Sequence, residues 1–184
     1  MPRKPDPALE ARILDAARKL WIKGGDEALS MRAVARAART NTPAIYRRFP
    51  HRTDILRALV RRVQQELFEV LQTCQSMEEV GRRTFEFALA KQSEYVLITS
   101  GLLYRIDQSR PNFHYVRERS AEWLGGNPED HARLLMAIWS AIHGTAMLLI
   151  TKTVPKGMEE VMSSVLTVTL KMLVQNRAAL SARN

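Results

Sequence analysis

Apolar residues recur three and four positions apart along most of the chain, which is the spacing of one face of an α-helix. The first such stripe predicts an amphipathic helix over about residues 7–23, ended by Gly24 and Gly25. It consists of Leu9, Ile13, Ala16, Ala17, Leu20 and Trp21. The sequence has neither a run of strict apolar–polar alternation nor an Asn-Gly or Asp-Gly hairpin turn. The pattern therefore predicts an all-α protein.

Two short helices are predicted after the glycine pair. Ser30 precedes the segment MRAVARAA and is a residue type that caps helices. Thr42 is expected to cap a second segment, PAIYRRF, because Pro43 suits the first helical position. Ile45 and Phe49, four apart, form the side of this helix that we expect to be buried. Two short helices joined by a tight turn form a helix-turn-helix, whose second helix enters the major groove of DNA.

Further helices are predicted over about 53–73, 77–92, 94–107, 112–124, 128–152 and 157–179. Within them, residues 134–150 form an uncharged run of 17 residues, which is at the short limit for crossing a membrane. We expect a helix buried on all sides instead, with one face against its own domain and the other against a second copy. Together with the apolar last helix, this run predicts a homodimer held by a four-helix bundle, and no membrane span.

The net charge of +9 is confined to the first third of the chain. Residues 1–62 hold 15 Lys and Arg against 6 Asp and Glu, whereas residues 63–184 hold 13 of each kind. Six arginines and no carboxylate lie between Glu27 and Asp54. A field of one sign indicates a polyanionic partner such as double-stranded DNA, the alternative being a basic face that only aids solubility. The single cysteine, Cys74, and a first segment without an export signal favour the cytoplasm.

The segment ALSMRAVARAARTNTPAIYRRFPHRTDILRALV resembles the DNA-binding segment of TetR-type transcriptional regulators. The residues that carry the resemblance are Ala35, Ala38, Ala44, Ile45, Tyr46, Phe49 and Arg52. It implies an N-terminal three-helix, helix-turn-helix DNA-binding domain over residues 1–52. It also implies a C-terminal helical effector-binding and dimerisation domain over residues 53–184, with helix 53–73 connecting the two.

The resemblance also implies which residues contact DNA. Phosphate contacts are expected from Tyr46, Arg52, and Ser30 or Arg32, with additional backbone or minor-groove contacts from the tail residues Arg3 and Lys4. Contacts with base edges are expected from Thr40, Asn41, Thr42, Pro43 and Arg47.

Arg39 completes this set of candidates, although the family usually has glycine at that point of the turn and a small apolar residue where Thr40 stands. A left-handed backbone at Arg39 would cost about 1 kcal/mol, so we expect a reshaped turn.

The C-terminal part is expected to bind a small-molecule effector in an apolar cavity. Its candidate lining residues are Tyr95, Tyr104, Phe113, Tyr115, Trp123, Met136, Trp139 and His143. Plain core packing is the alternative interpretation for each of them. The stretch from Trp139 to Gly144 is similar to a Trp…His-Gly signature in the penultimate helix of one TetR subgroup, which supports placing it there.

These patterns predict a ligand-responsive, homodimeric, sequence-specific DNA-binding regulator, a repressor that a small molecule releases from an inverted-repeat operator. A non-specific architectural DNA binder and an all-α enzyme are the alternatives. The four histidines lack metal-ligand spacing, and the sequence has no glycine-rich phosphate loop or nucleophile motif. We therefore expect no enzyme activity, no metal and no cofactor.

Overall fold

The computed structural model describes residues 8–100 and 110–181. These residues form α-helices, one short 3₁₀ helix and no strand, which confirms the predicted all-α class. In chain order the α-helices are α1 (Leu9–Ala28), α2 (Met31–Ala37), α3 (Thr42–Arg48), α4 (Arg52–Gln72), α5 (Met77–Ala90), α6 (Gln92–Thr99), α7 (Pro111–Leu124), α8 (Ala132–Ile150), α9 (Glu159–Gln175) and α10 (Arg177–Ser181). The 3₁₀ helix, Pro128–His131, leads directly into α8.

The chain divides into two compact units. The first comprises Met1–Val63 and Ser93–Gln108, and the second comprises Gln64–Gln92 and Ser109–Asn184. Helix α4 therefore contributes to both units, and nearly all of α6 belongs to the first. The sequence predicts a boundary after residue 52 between a DNA-binding and an effector-binding domain. That boundary is defined by function rather than by packing, and it stays a prediction.

Buried aliphatic side chains from consecutive helices form the core of the first unit. Ile13 of α1, Val34 of α2, Ile45 of α3 and Ile55 of α4 are all fully buried. Since α2 and α3 have only seven residues each, propensity alone would not keep them helical. Their stability comes from this shared core, which also determines which faces of the two helices remain exposed.

Polar contacts join α1 to α6 within the first unit. The indole N–H of Trp21 donates to the carbonyl of Ser93 at 2.8 Å. The guanidinium of Arg18 donates to one carboxylate oxygen of the buried Glu94 through Nε at 3.0 Å and Nη2 at 2.9 Å. Because both contacts involve the first half of α6, they explain why this helix belongs to the unit of α1 rather than to that of α5.

The end of α1 and the start of α3 differ from the prediction in an informative way. The backbone leaves the helical conformation at Gly24 (φ −159°) and Gly25 (φ 59°), yet a further helical turn continues to Ala28. Helix α3 begins at Thr42, one residue early, because Asn41 and not Thr42 is its cap. The Asn41 side-chain oxygen accepts the N–H of Ala44 at 2.9 Å. Neighbouring Asn and Thr are both good capping residues, so the residue types alone did not separate them.

In the second unit, α8 packs against α5 and α9, and α9 packs against α5. Helices α5 and α9 are in tight contact at Gly81 of α5, where an added Cβ would lie 2.6 Å from Cδ1 of Leu170 on α9. Among the described residues, one segment, Pro128–Ile150, is long and apolar enough to cross a membrane, and 28% of its most apolar window is buried within the chain. Core helices of soluble proteins share this length and apolar composition, so the segment alone is weak evidence for a membrane span.

Candidate nucleic-acid interface

Helix α3 is held from one side and exposed on the other. Ala44, Ile45 and Phe49 are buried, with at most 7% of their surface exposed, whereas half of Tyr46 is exposed and Arg47 is also exposed. This confirms the predicted anchoring by Ile45 and Phe49. The tyrosine hydroxyl and the arginine fork are groups that donate hydrogen bonds to phosphates and base edges. The exposed side of α3 therefore has the chemistry of a recognition helix.

Helix α2 begins with a capped turn that leaves a basic side chain exposed. The N–H of Ala33 donates to the Ser30 hydroxyl at 3.2 Å, which confirms the predicted cap. Arg32 follows on the exposed face at the same end of the helix. A phosphate near this end would meet both the arginine and the unpaired N–H groups of the first turn.

Four arginines of the α2–α3 region are exposed and form no ion pair with any residue that the structure describes. They are Arg32, Arg36, Arg39 and Arg47. With no carboxylate between Glu27 and Asp54, nothing within this stretch neutralises them. The predicted set of DNA contacts left out Arg36, although the absence of nearby carboxylates gave it the same signal as the other three. A positive surface of this kind attracts a polyanion at long range.

Arg52, in contrast, bonds to its own domain. Its guanidinium donates to the carbonyl of Leu29 at 2.6 Å and to the carbonyl of Asp26 at 2.8 Å, and it pairs with the Asp26 carboxylate. These bonds tie the start of α4 to the connection between α1 and α2. A DNA phosphate would have to compete with them, so the phosphate contact expected of Arg52 stays a prediction beside an observed structural role.

The turn between α2 and α3 retains the geometry that glycine usually provides. Arg39 has φ 54°, so the expectation that its side chain would reshape the turn is wrong. Its N–H donates to the carbonyl of Arg36 at 3.2 Å, and the N–H of Thr40 donates to that of Ala35 at 3.0 Å. These two bonds form a Schellman motif, which satisfies the last carbonyls of α2. They hold Arg39 in a conformation that costs about 1 kcal/mol.

The predicted base contacts other than Arg47 are the four residues that follow Arg39 in the chain. Asn41 and Pro43 are exposed, and Thr40 and Thr42 are half-buried. The side-chain oxygen of Asn41 is engaged as the cap of α3, which leaves its NH₂ group as the free donor. All four lie at the N-terminal end of α3, the end that meets base edges in helix-turn-helix proteins.

The residues predicted to line an effector cavity have different surroundings. Tyr95 is fully buried in the first unit, and burial raises its pKa to about 12. Met136 and Trp139 lie on the exposed face of α8, where Trp139 stacks on His143 with ring centroids 5.1 Å apart. Desolvation lowers the pKa of His143. Tyr104 lies outside the described residues.

Phe113, Tyr115 and Trp123 are half-buried on α7. A pocket of about 460 Å³ in the second unit is lined by none of the predicted effector residues. Its lining consists of Leu124, Gly125, Gly126, Asp130, His131, Gln175, Arg177 and Ala178. The predicted effector cavity therefore stays a prediction. Across residues 8–100 and 110–181, no group of three or more His, Cys, Asp or Glu is placed to hold a metal ion.

A capped short helix, a tight turn and an outward-facing basic helix define the class of the protein as an all-α, helix-turn-helix protein. Residues 13–59 match the sequence profile of the family described as "Bacterial regulatory proteins, tetR family". No curated protein sequence matches the chain significantly.

Solved structures of similar fold cover nearly the whole chain. A TetR variant from Acinetobacter baumannii AYE in complex with minocycline aligns with a TM-score of 0.71 and 17% identity, over 98% of this chain and 100% of that one. A TetR-like transcriptional regulator from Rhodococcus sp. RHA1 aligns at 0.65 and 17%, over 96% and 99%. The multidrug binding protein EbrR, complexed with imidazole, aligns at 0.62 and 22%, over 92% and 93%. At these identities the likeness shows the fold.

The profile match and the fold are consistent with each other. Residues 13–59 match the TetR family of bacterial regulatory proteins, and nearly the whole chain has the fold of these solved structures. The resemblance that the sequence carries is thereby confirmed.

Proposed function

We propose that the protein is a cytoplasmic, homodimeric repressor that binds an inverted-repeat operator and leaves it when a small molecule binds. The observation that best supports this proposal is the packing of α3. Ile45 and Phe49 anchor the helix, whereas Tyr46 and Arg47 stay exposed. In this proposal Arg47 reads a base edge, since its planar fork donates bidentately, and Tyr46 bonds to a phosphate.

Dimerisation is proposed from the exposed apolar face of the second unit. Four residues on one stripe of α9 are each about half exposed: Val161, Val165, Val168 and Met172. Met136 and Trp139 of α8 are 45% and 44% exposed. Monomers rarely leave so many large apolar side chains uncovered on adjacent packed helices, and a second copy would cover them by forming a four-helix bundle. Two recognition helices one DNA turn apart then require inverted half-sites.

Release by a small-molecule effector is proposed because two proteins that share the fold were solved with small molecules. The Acinetobacter protein was solved with minocycline and EbrR is a multidrug binding protein solved with imidazole. A small molecule that favours one spacing of the two recognition helices weakens DNA binding through a coupling of about 1–3 kcal/mol.

The test is selection of bound fragments from a random DNA pool by the full chain, followed by affinity measurements on the selected sequence. We expect an inverted repeat to be enriched and to bind about 10³-fold or more tighter than a random duplex. Repeating the selection with metabolite extracts should identify conditions that release the DNA. Equal affinity for all duplexes would instead indicate an architectural DNA binder and would overturn the proposal.

A further inference from the structure

The same strained turn occurs twice in the described residues, each time with a basic side chain. Arg39 (φ 54°) follows α2 and Lys152 (φ 56°) follows α8. After α8, the N–H of Lys152 donates to the carbonyl of Leu149 at 3.1 Å and that of Thr153 to the carbonyl of Leu148 at 3.0 Å. This is the bond pattern of the turn at Arg39. The two positions therefore share backbone conformation, hydrogen bonding and sign of charge.

Helix termini explain part of this coincidence. A positive side chain just after a helix interacts favourably with the negative end of the helix dipole, which partly offsets the left-handed conformation. That explanation applies equally to both turns. What differs is the surrounding charge, because Arg39 lies within the carboxylate-free stretch and close along the chain to exposed Arg36 and Arg47. Arg39 also lies two residues before Asn41, the cap of α3, and it forms no ion pair with any described residue.

We propose that Arg39 contacts a DNA phosphate beside the groove that α3 enters, at the point where the family usually has glycine. The inference rests on the proposed function. A non-glycine residue in a left-handed conformation strains the backbone, and such strain is retained where the residue has a further role. An exposed arginine beside a recognition helix can have such a role, because it can donate a charge-assisted hydrogen bond to phosphate. The hydrogen bonds of the Schellman motif fix the backbone from which this side chain extends.

The experiment compares Arg39→Gly with Lys152→Gly in the full chain. Glycine relieves the left-handed strain at both positions, so we expect both variants to melt at or slightly above the wild-type temperature, by about 2–4 °C at most. Arg39→Gly should bind selected and random duplexes alike about tenfold more weakly. The slope of log affinity against log salt should fall by about 0.9 for each copy bound. Lys152→Gly should bind like the wild type, and Arg39→Lys should recover most of the loss.

Three results would overturn the proposal: unchanged binding by Arg39→Gly at every salt concentration, an equal loss in Lys152→Gly, or a loss confined to one base position. The last would make Arg39 a base-reading residue. Failure of the proposed function looks different, because the wild type would then show no preference for any sequence. The comparison of the two glycine variants on random duplexes would still decide the role of Arg39.

Discussion

Arg47 and Arg52 are close along the chain but use their guanidinium groups differently. Arg52 donates to the carbonyls of Leu29 and Asp26, at 2.6 and 2.8 Å, whereas Arg47 is exposed and has no ion pair among the described residues. We expect Arg52→Ala to lower the free energy of unfolding by about 1–2 kcal/mol, since partly exposed bonds from a charged donor are lost. Arg47→Ala should change it by at most about 0.5 kcal/mol.

Denaturant unfolding of both variants measures this difference, and affinities for a panel of single-base operator variants complete the comparison. Arg47→Ala should relax the preference at one base position while keeping its stability. Wild-type stability in Arg52→Ala would mean that its observed bonds contribute little. A uniform loss by Arg47→Ala across the panel would assign that side chain to phosphate.

Residue type and spacing predicted some of the contacts around α2 and α3, and there are physical reasons why they missed others. The cap at Ser30 and the buried pair Ile45 and Phe49 follow from residue type and spacing. The cap at Asn41 does not, because Asn41 and the adjacent Thr42 are both suitable capping residues. The left-handed conformation of Arg39 does not either, because two backbone hydrogen bonds outweigh the local preference against it. The bonds of Arg52 to residues 23 and 26 positions earlier could not be read from local spacing.

At the scale of helices, the contact between α5 and α9 depends on a glycine. An added Cβ at Gly81 would lie 2.6 and 2.9 Å from the two methyl carbons of Leu170, which is 2% exposed. We expect Gly81→Ala to lower the free energy of unfolding by about 1–3 kcal/mol through overpacking. Leu170→Ala should lower it by about 2–5 kcal/mol through the cavity it leaves.

The double variant separates overpacking from a general intolerance of alanine at position 81. Because each alanine relieves the defect of the other, the double variant should be more stable than the sum of the two losses predicts, by about 1 kcal/mol. Calorimetric or denaturant unfolding of all four proteins gives the coupling directly. Strict additivity would show that Gly81 and Leu170 do not interact in solution.

Apolar spacing predicted helices at the positions of α1 to α9, but it merged α9 and α10 into one helix over 157–179. It did not predict which helices are in contact. The pattern predicted α8 and α9 as long apolar helices, and both are present. It placed α6 only as one more helix in the C-terminal domain, yet Trp21 and Arg18 bond to its first residues. Such pairings join residues more than 70 positions apart, and a periodicity carries no information about them.

At the scale of the whole molecule, the apolar stripe on α9 is left exposed in the single chain. Val161, Val165 and Val168 are 48%, 56% and 55% exposed, on the side of the helix opposite the buried Leu166 and Leu170. If a second copy covers this stripe, a carboxylate at its centre would be buried without a partner on association. Val165→Glu should therefore convert the dimer into monomers while each monomer stays helical.

Thr167→Glu is the matched control, because residue 167 is exposed on the same helix but lies away from the stripe, and it introduces the same charge. Sedimentation equilibrium should give the mass of two chains for the wild type and the control, and of one chain for Val165→Glu. Loss of simultaneous engagement of two half-sites should weaken operator binding by Val165→Glu about 10²-fold or more. A dimeric Val165→Glu would place the contact between copies elsewhere, and a monomeric wild type that still binds an inverted repeat tightly would separate operator recognition from α9 altogether.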